Sequence, residues 1–491
     1  MAIGFREIPS NLRVPLFFAE LDNSRANSAQ EAQRSLIIGQ MLGSGTLAAG
    51  VPVLMQGVDW VKQRAGAGSM LAQMAECYRK RDGFGEVWLL PLADAVAGVA
   101  ATGSVALSGS PTAAGTLSLY IGGMRVQQLV TTGQTAAQIA TALAATINGT
   151  ADLAVTAAAA SSTVTLTARH KGLTGNDLPL VLNYRGAPGG EVTPDGLTVT
   201  FTAMSGGTTN PVLDTALANL GDMPFDYIAM PYTDTTSLDA LKSFLASRWA
   251  WDRMLYGGAF AAVRGTLGQA GAFGLARNDA HVSVMPCDGS PTPPWCWAAN
   301  LTGALAVSLR ADVALPLHGL GLDVLAPPPE KRWTIGERNT LLWSGLSSHT
   351  VQDDGTVTTE TIVTTYQRNP LGAADDSYLY VERLYTLAAV IRNLRIFVTS
   401  TFGRMKLASN DQPVRPGQNI VTPNLIRNAI IGRYRELERL GLVQNSAAFE
   451  ASLVVERNGT NRCRIDALLP IVPIDQLRQL AALVQFRNSQ G

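Results

Sequence analysis

The sequence predicts an α+β multidomain chain: an interrupted α/β core, a β-rich domain inserted into it, an α+β C-terminal domain, and extended terminal arms. Three observations carry that expectation. Strand–helix–strand patterning occupies residues 35–92 and resumes after Pro211, as a parallel α/β layer requires. Between the two stretches, residues 101–209 hold 20 Thr but only 8 charged and 3 aromatic side chains, so the composition changes abruptly. Apolar, strand-forming stretches at Val14–Asp22 and Leu483–Arg487 have no hairpin partner beside them, and strands left this way pair with something distant.

Taken in order, residues 1–28 form an N-terminal arm punctuated by Pro9 and Pro15. The first part of the core, 29–94, has a buried-strand run at Ser35–Gly39. A helix follows at Ser69–Arg81, with Leu71, Met74, Ala75 and Tyr78 on one face. Gly83 and Gly85 stop it before a second buried strand, Glu86–Leu92. The inserted domain, 95–209, shows a hairpin over Thr116–Val130 turning at Gly122-Gly123, an Ala-rich helix over Thr135–Ile147, and strands at Val164–Thr167 and Leu197–Thr202. Insertion at an exposed loop is the usual way a domain tolerates such a module.

The second part of the core, 210–329, reads as helix Val212–Leu220, strand Tyr227–Met230, and a helix opened by a capping box at Thr236 and Asp239. Strands Gly258–Val263 and His281–Pro286 follow. Pro291, Pro293 and Pro294 surround Trp295 and Trp297, which suits an irregular loop anchored by two indoles. In the C-terminal domain, 330–480, Asp353-Asp354-Gly355 turns a hairpin and Tyr378–Leu394 is a helix. Thr422 and Pro423 are the N-cap and first residue of another helix, whose apolar face is Ile426, Ile430, Leu437 and Leu440. Asn458-Gly459 signals a hairpin, with Cys463, Ile465, Ala467 and Leu469 alternating on the return strand. Residues 481–491 are the C-terminal arm.

Charge and motifs narrow the function. Lys plus Arg (38) equals Asp plus Glu (38), and charged residues are only 15%, below the ~25% of ordinary soluble domains. That balance argues against a globally basic nucleic-acid binder and suits a surface covered by other protein. No apolar run reaches the ~18 residues that span a bilayer, and the N-terminus lacks a secretory pattern, so a cytosolic product without membrane insertion is expected. P-loop, dinucleotide-binding, nucleophile-elbow and zinc-protease motifs are absent. Gly39–Gly50 has the wrong glycine spacing and no lysine for a phosphate loop. The histidines (His170, His281, His318, His349) and cysteines (Cys77, Cys287, Cys296, Cys463) are scattered without metal spacing. No catalytic, cofactor-binding or metal residue is assigned.

One charge asymmetry remains. Residues 381–491 carry 15 Lys and Arg against 8 Asp and Glu. On the helix from Thr422, Arg427, Arg433, Arg435 and Arg439 lie off the apolar stripe. They read either as a solvated face with Glu436 and Glu438 as local partners, or as a docking face for an acidic protein surface.

Several blocks resemble the tail sheath proteins of Mu-like contractile-tailed bacteriophages. They are NLRVPLFFAELDNSRA (11–26), GSMLAQM (68–74), AAGTLSLYIGG (113–123), LTARHKGLTGND (166–177), FDYIAMPYTD (225–234), SLRADVALPL (308–317), TTYQRN (364–369), VTPNLIRNAIIGRYRELERLGLV (421–443) and LVVERNG (453–459). The resemblance implies a non-enzymatic virion protein, assembled in the host bacterial cytoplasm. It would polymerise as a helical sleeve of six-subunit rings around a tail tube and contract to drive that tube through the envelope for genome ejection. It also implies a protruding inserted domain, a C-terminal domain near the tube and swapped terminal strands. The tail tube, baseplate and tail terminator proteins would be partners, with no direct contact to nucleic acid. Val14, Leu16, Phe17, Phe18, Leu483, Val484 and Phe486 would then be subunit contacts, and the four arginines would face the tube. A phage-tail-like particle of the tailocin type and a cytosolic α/β enzyme stay as alternatives.

Overall fold

The structure is a computed structural model and describes residues 33–413, 415 and 417–486. The expected strand at Val14–Asp22, with Val14, Leu16, Phe17 and Phe18, lies outside those residues.

Strand β1 (Ser35–Gln40) is buried along its whole length, as a continuous apolar run is when both faces of a parallel sheet are covered. A short strand β2 (Val53–Leu54) and helices α1 (Val58–Ala65) and α2 (Met70–Arg79) lead to β3 (Val87–Leu92), which pairs in parallel with β1. Ser69 caps α2 by accepting from Ala72 N (3.1 Å), and Leu71, Met74, Ala75 and Tyr78 are all buried.

The next strands are β4 (Ala100–Gly109), β5 (Gly115–Ile121) and β6 (Met124–Val130). Helix α3 (Ala136–Gly149) precedes β7 (Val155–Ala160), β8 (Thr163–Lys171), β9 (Leu180–Leu182) and β10 (Leu197–Ser205). They form two sheets of their own, in the orders β10-β4-β8-β7 and β6-β5-β9. Gly122 and Gly123 have φ of +57° and +82°, the pair of left-handed residues that a two-residue hairpin turn demands. A complete capping box, Thr135 with Gln138, opens α3 and turns Ile139, Leu143 and Ile147 inward.

The chain then returns to the first sheet through α4 (Asp214–Ala218), β11 (Tyr227–Ala229), α5 (Thr235–Trp249), β12 (Gly258–Val263), α6 (Leu267–Leu275), β13 (Val282–Pro286) and α7 (Pro294–Ala311). The sheet order is β13-β12-β11-β1-β3-β2, parallel except for β2. Strands on either side of the 100–205 segment therefore share one sheet.

Three expectations are corrected here. Helix α4 is five residues long and shorter than Val212–Leu220. The cap of α5 is Asp234, whose carboxylate accepts from Ser237 N (3.0 Å), not Thr236; an anionic acceptor at the positive end of the helix is the stronger cap. Trp295 and Trp297 do not anchor an irregular loop: they sit in the first turn of α7, with Pro293 as N-cap and Pro294 at the first helical position. Both prolines occupy sites where no backbone donor is needed. Residues 295–306 of this helix are buried on every side, so it has no polar stripe to reveal its period.

The C-terminal third begins with β14 (Gly321–Leu322), α8 (Ile335–Trp343), β15 (Ser348–Val351) and β16 (Val357–Thr361), the last two turning at Asp353–Gly355. Helix α9 (Val381–Phe402) starts later and runs longer than Tyr378–Leu394. A parallel pair, β17 (Lys406–Leu407) and β18 (Ile420–Val421), precedes α10 (Pro423–Arg439), α11 (Ser446–Ser452) and the hairpin β19 (Val454–Arg457) and β20 (Ile465–Leu468). Thr422 caps α10 by accepting from Leu425 N. The buried face of α10 is Ile430, Ile431, Tyr434 and Leu437, while Leu440 is exposed. Tyr434 draws the stripe round because its ring stacks on Phe449, centroids 3.7 Å apart. The β19–β20 connection spans Asn458–Arg464 and is not a two-residue turn at Asn458-Gly459. Asn458 Oδ1 accepts from Thr460 N (3.0 Å) and Asn461 N (2.8 Å), folding the loop on itself, and Cys463 belongs to that loop. Residues 477–486 form no strand within the chain.

Candidate assembly surfaces

In an open α/β sheet a ligand sits outside the carboxyl ends of the strands, where the strand order reverses. Here β1 is flanked by β3 on one side and β11 on the other, so the crevice lies between β1 and β11. The chain fills it with its own side chains. Gln40, last residue of β1, donates to Asp94 Oδ1 and to the Lys171 carbonyl, both at 2.7 Å. Asp94 Oδ1 also lies 3.0 Å from His170 Nδ1, and Met70 N, at the start of α2, donates to His170 Nε2 (2.9 Å). That donation places the ring proton on Nδ1, facing Asp94. Burial would raise the Asp94 pKa, but bonds from His170, Lys171 N and Gln40 outweigh it and hold the carboxyl below its ordinary value. The helix N-terminus that elsewhere receives a phosphate is thus occupied by an imidazole. A cavity of about 200 Å³ remains beside it, lined by Asp177, Asn210, Asp234 and Trp295, with no cation to receive an anionic ligand. The carboxylate partner of His170 is 76 residues away, and no local spacing reveals it.

Two other histidines pack against indoles, His349 buried and His281 half-buried. His281 stacks on Trp249 at 4.4 Å, and His349 packs against Trp297 at 5.0 Å. Burial lowers both from 6.5 to about 4; Asp279 opposes the shift at His281, whereas Arg338 adds to it at His349. Both are neutral in the folded chain, and the unfolded chain binds protons more readily below pH 6.5. Stability is therefore full above pH 6.5, declines as pH falls, and has lost the whole contribution by pH 4, roughly 3 kcal/mol per histidine. Thermal melts between pH 7 and pH 4 should show this decline, and His349→Gln should flatten it. A His349→Gln profile parallel to the parent's would assign the acid sensitivity elsewhere.

The C-terminal third presents different features. Of the arginines on α10, Arg427 donates to the backbone carbonyls of Leu453 and Glu450. Arg433 donates to Asn393 Oδ1 (2.7 Å), pairs with Glu436 and covers the Phe397 ring at 5.9 Å. Arg435 pairs with Glu450 (2.6 Å) rather than with Glu438, whose carboxylate accepts from Ser446 N (2.9 Å). Arg439 is exposed and has no ion-pair partner among the described residues. Three of the four thus hold α10 to its neighbours, and Arg435 and Arg439 stay on the surface.

Beyond Arg478, which pairs with the fully buried Glu382 at 3.0 Å, the chain leaves its own fold. Leu480, Leu483, Val484 and Phe486 are each more than four-fifths exposed. Among the described residues β19 and β20 make a two-stranded sheet with both outer edges unpaired, and Val454 and Leu468 lie exposed on it. An isolated hairpin is marginal in water, and open edges invite another strand.

The crevice is thus closed by the chain's own residues, while an apolar tail and a hairpin stay exposed. Residues 206–365 match the phage tail sheath protein central domain and residues 373–487 the phage tail sheath C-terminal domain. The chain is 39% identical over 488 residues to the Mu-like prophage FluMu tail sheath protein of Haemophilus influenzae, covering 99% of this chain and 100% of that protein. It belongs to the phage tail sheath proteins. Among solved structures it is similar to the sheath tail protein of Desulfitobacterium hafniense (14% identity, 94% of this chain and 97% of that one, TM-score 0.48). It is also similar to a sheath tail protein of Listeria innocua (14%, 92% and 94%, TM-score 0.48). No helix among the described residues is long and apolar enough to cross a membrane.

Proposed function

We propose that this chain is the sheath subunit of a contractile phage tail. It polymerises as a helical sleeve of six-subunit rings around a tail tube. Contraction then drives the tube through the bacterial envelope for genome ejection. The observation that carries this reading is the end-to-end 39% identity to a Mu-like tail sheath protein. The apolar tail and open hairpin supply the physics: each subunit keeps unsatisfied strand edges that neighbours complete, so a flexible link survives while rigid bodies rotate. Tube, baseplate and terminator proteins are the partners, with assembly in the host cytoplasm. Contraction draws on free energy stored in the extended lattice, and no bond is hydrolysed. Negative-stain microscopy of the purified full chain tests the reading: cylinders are expected, and a monomer that never assembles at high concentration would reject it.

Within that assembly, residues 29–94 and 210–329 are the core, 95–209 the outward module, 330–480 the tube-proximal domain, and 1–28 and 481–491 the linking arms. The self-contained sheets of the 100–205 segment support this division. Replacing residues 95–209 by a short Gly-Ser bridge exposes the crevice held by Asp94 and His170, so some stability is lost, yet cylinders should still form. A folded variant that stays monomeric would put the module in the lattice.

The basic face of α10 is proposed to hold the extended sleeve on the tube. Exposed ion pairs contribute about 0–1 kcal/mol each, but repetition around every ring multiplies them. Charge reversal of Arg435 and Arg439 should favour contracted or tube-free cylinders and weaken the salt sensitivity of the extended form. Extended tails indistinguishable from the parent's would reject this role.

A further inference from the structure

Helices α2 and α7 run side by side in the same direction. Trp295 Nε1 donates to Gln73 Oε1 (3.0 Å), and about one turn on Asn300 Nδ2 donates to the Cys77 carbonyl (2.9 Å). Further along, Gly303 approaches the Tyr78 carbonyl so closely that a Cβ there would stand 2.7 Å away. This close, doubly tethered register brings Cys77 and Cys296 together across the interface. Both are free thiols, Cys296 buried and Cys77 half-buried, and both line one cavity of about 190 Å³. That cavity is also lined by Lys62 and Lys80 and by Glu76, Asp152 and Asp323, so it favours neither a strongly anionic nor a strongly cationic visitor.

We propose that Cys77 and Cys296 form a reversible disulfide that staples α2 to α7 when the protein meets a small neutral disulfide. Access sets the order of events. The Cys77 thiol gives its proton to solvent, and the thiolate attacks one sulfur of the oxidant R–S–S–R, expelling R–S⁻, which takes up a proton. The Cys296 thiolate then attacks the Cys77 sulfur of the mixed disulfide and expels the second R–S⁻, protonated in turn. Two protein thiols are oxidised by two electrons, and one oxidant disulfide is reduced to two thiols. Contact with Cys77, together with burial, raises the Cys296 pKa, which suits it to the second, intramolecular step and not to first attack. The bond would link the two halves of the core across the whole 95–209 segment, and closing so long a loop restricts the unfolded chain strongly.

The test uses the full chain carrying Cys463→Ser, which removes the exposed thiol and its intermolecular disulfides. Protein treated with hydroxyethyl disulfide is alkylated and peptide-mapped without reduction. The expected result is a linked Cys77–Cys296 peptide, two hydrogens lighter than the separate thiols and released by dithiothreitol, with a Tm raised by several degrees. Cys77→Ser, a conservative change at a half-buried site, should abolish both. Two freely alkylated thiols, or a stable mixed disulfide on Cys77 that Cys296 never displaces, would overturn the proposal. A linked peptide with no gain in Tm would overturn the stapling role.

Discussion

Removal of residues 480–491 is expected to leave a folded monomer that builds no cylinders. The deleted segment carries Leu480, Leu483, Val484 and Phe486, exposed in their own chain, and the cut spares Arg478, whose guanidinium neutralises the buried Glu382 and stacks over Tyr380 at 3.7 Å. The melting profile should therefore change little. If the arm adds to a neighbour's sheet as proposed, assembly should fail, because each contact then loses a backbone ladder and alternate apolar side chains. Introducing Asp at Val454 and Leu468, on the exposed hairpin, should reproduce the defect from the acceptor side, since a charge on an edge strand blocks addition of another. Sedimentation and negative-stain microscopy read both outcomes. Truncated protein that polymerises normally would show that other contacts hold the lattice.

Asp226→Asn should cost about 3–5 kcal/mol of stability, the usual penalty for breaking a buried ion pair by removing one of its charges. Asp226, 2% exposed, immediately precedes β11 and meets Arg392 of α9, Oδ1 to Nη1 2.6 Å. Its carbonyl accepts from Tyr385 Oη (2.6 Å) and Gly258 N (2.9 Å), and Arg392 also donates to the Tyr256 carbonyl (2.8 Å). Tyr227 and Tyr385 stack beside the pair at 5.4 Å. This cluster fastens the long helix of the C-terminal third to the amino end of the central sheet. The earliest thermal transition should fall by several degrees in Asp226→Asn and in Arg392→Met. The double change Asp226→Leu with Arg392→Met should recover much of the loss, because it removes both charges together. Equal losses in single and double variants would mean that the hydrogen bonds, not the ion pair, bind the two elements.

Local signals were legible wherever a residue's role is settled within one or two turns of chain. Thr422 caps its helix because the donor it satisfies lies three residues on; Ser69 and Thr135, read as first helical residues, turn out to be caps in the same way. The glycine pair at 122–123 fixes its hairpin because both residues need positive φ. The buried strands at 35–40 and 87–92 announce themselves by unbroken apolar runs. The family resemblance, spread over blocks from one end of the chain to the other, was likewise carried by the residues themselves.

What the tertiary structure alone decided has partners far away in sequence. Helix α7 is buried on every side over residues 295–306 and opens with prolines, so its period is invisible until α2 and the central sheet are seen to enclose it. His170 closes the crevice only because Asp94 and Met70 are brought to it across 76 and 100 residues. Arg427, Arg433 and Arg435 looked alike on the α10 wheel, yet bonds to Leu453, Glu450 and Asn393 tie the first two inward and leave the third at the surface. Residue type and spacing set helices, strands and turns because those depend on hydrogen bonds and side-chain contacts a few residues apart. The closed crevice, the buried ion pair and the thiol contact depend on where distant segments pack, which no single stretch of sequence encodes.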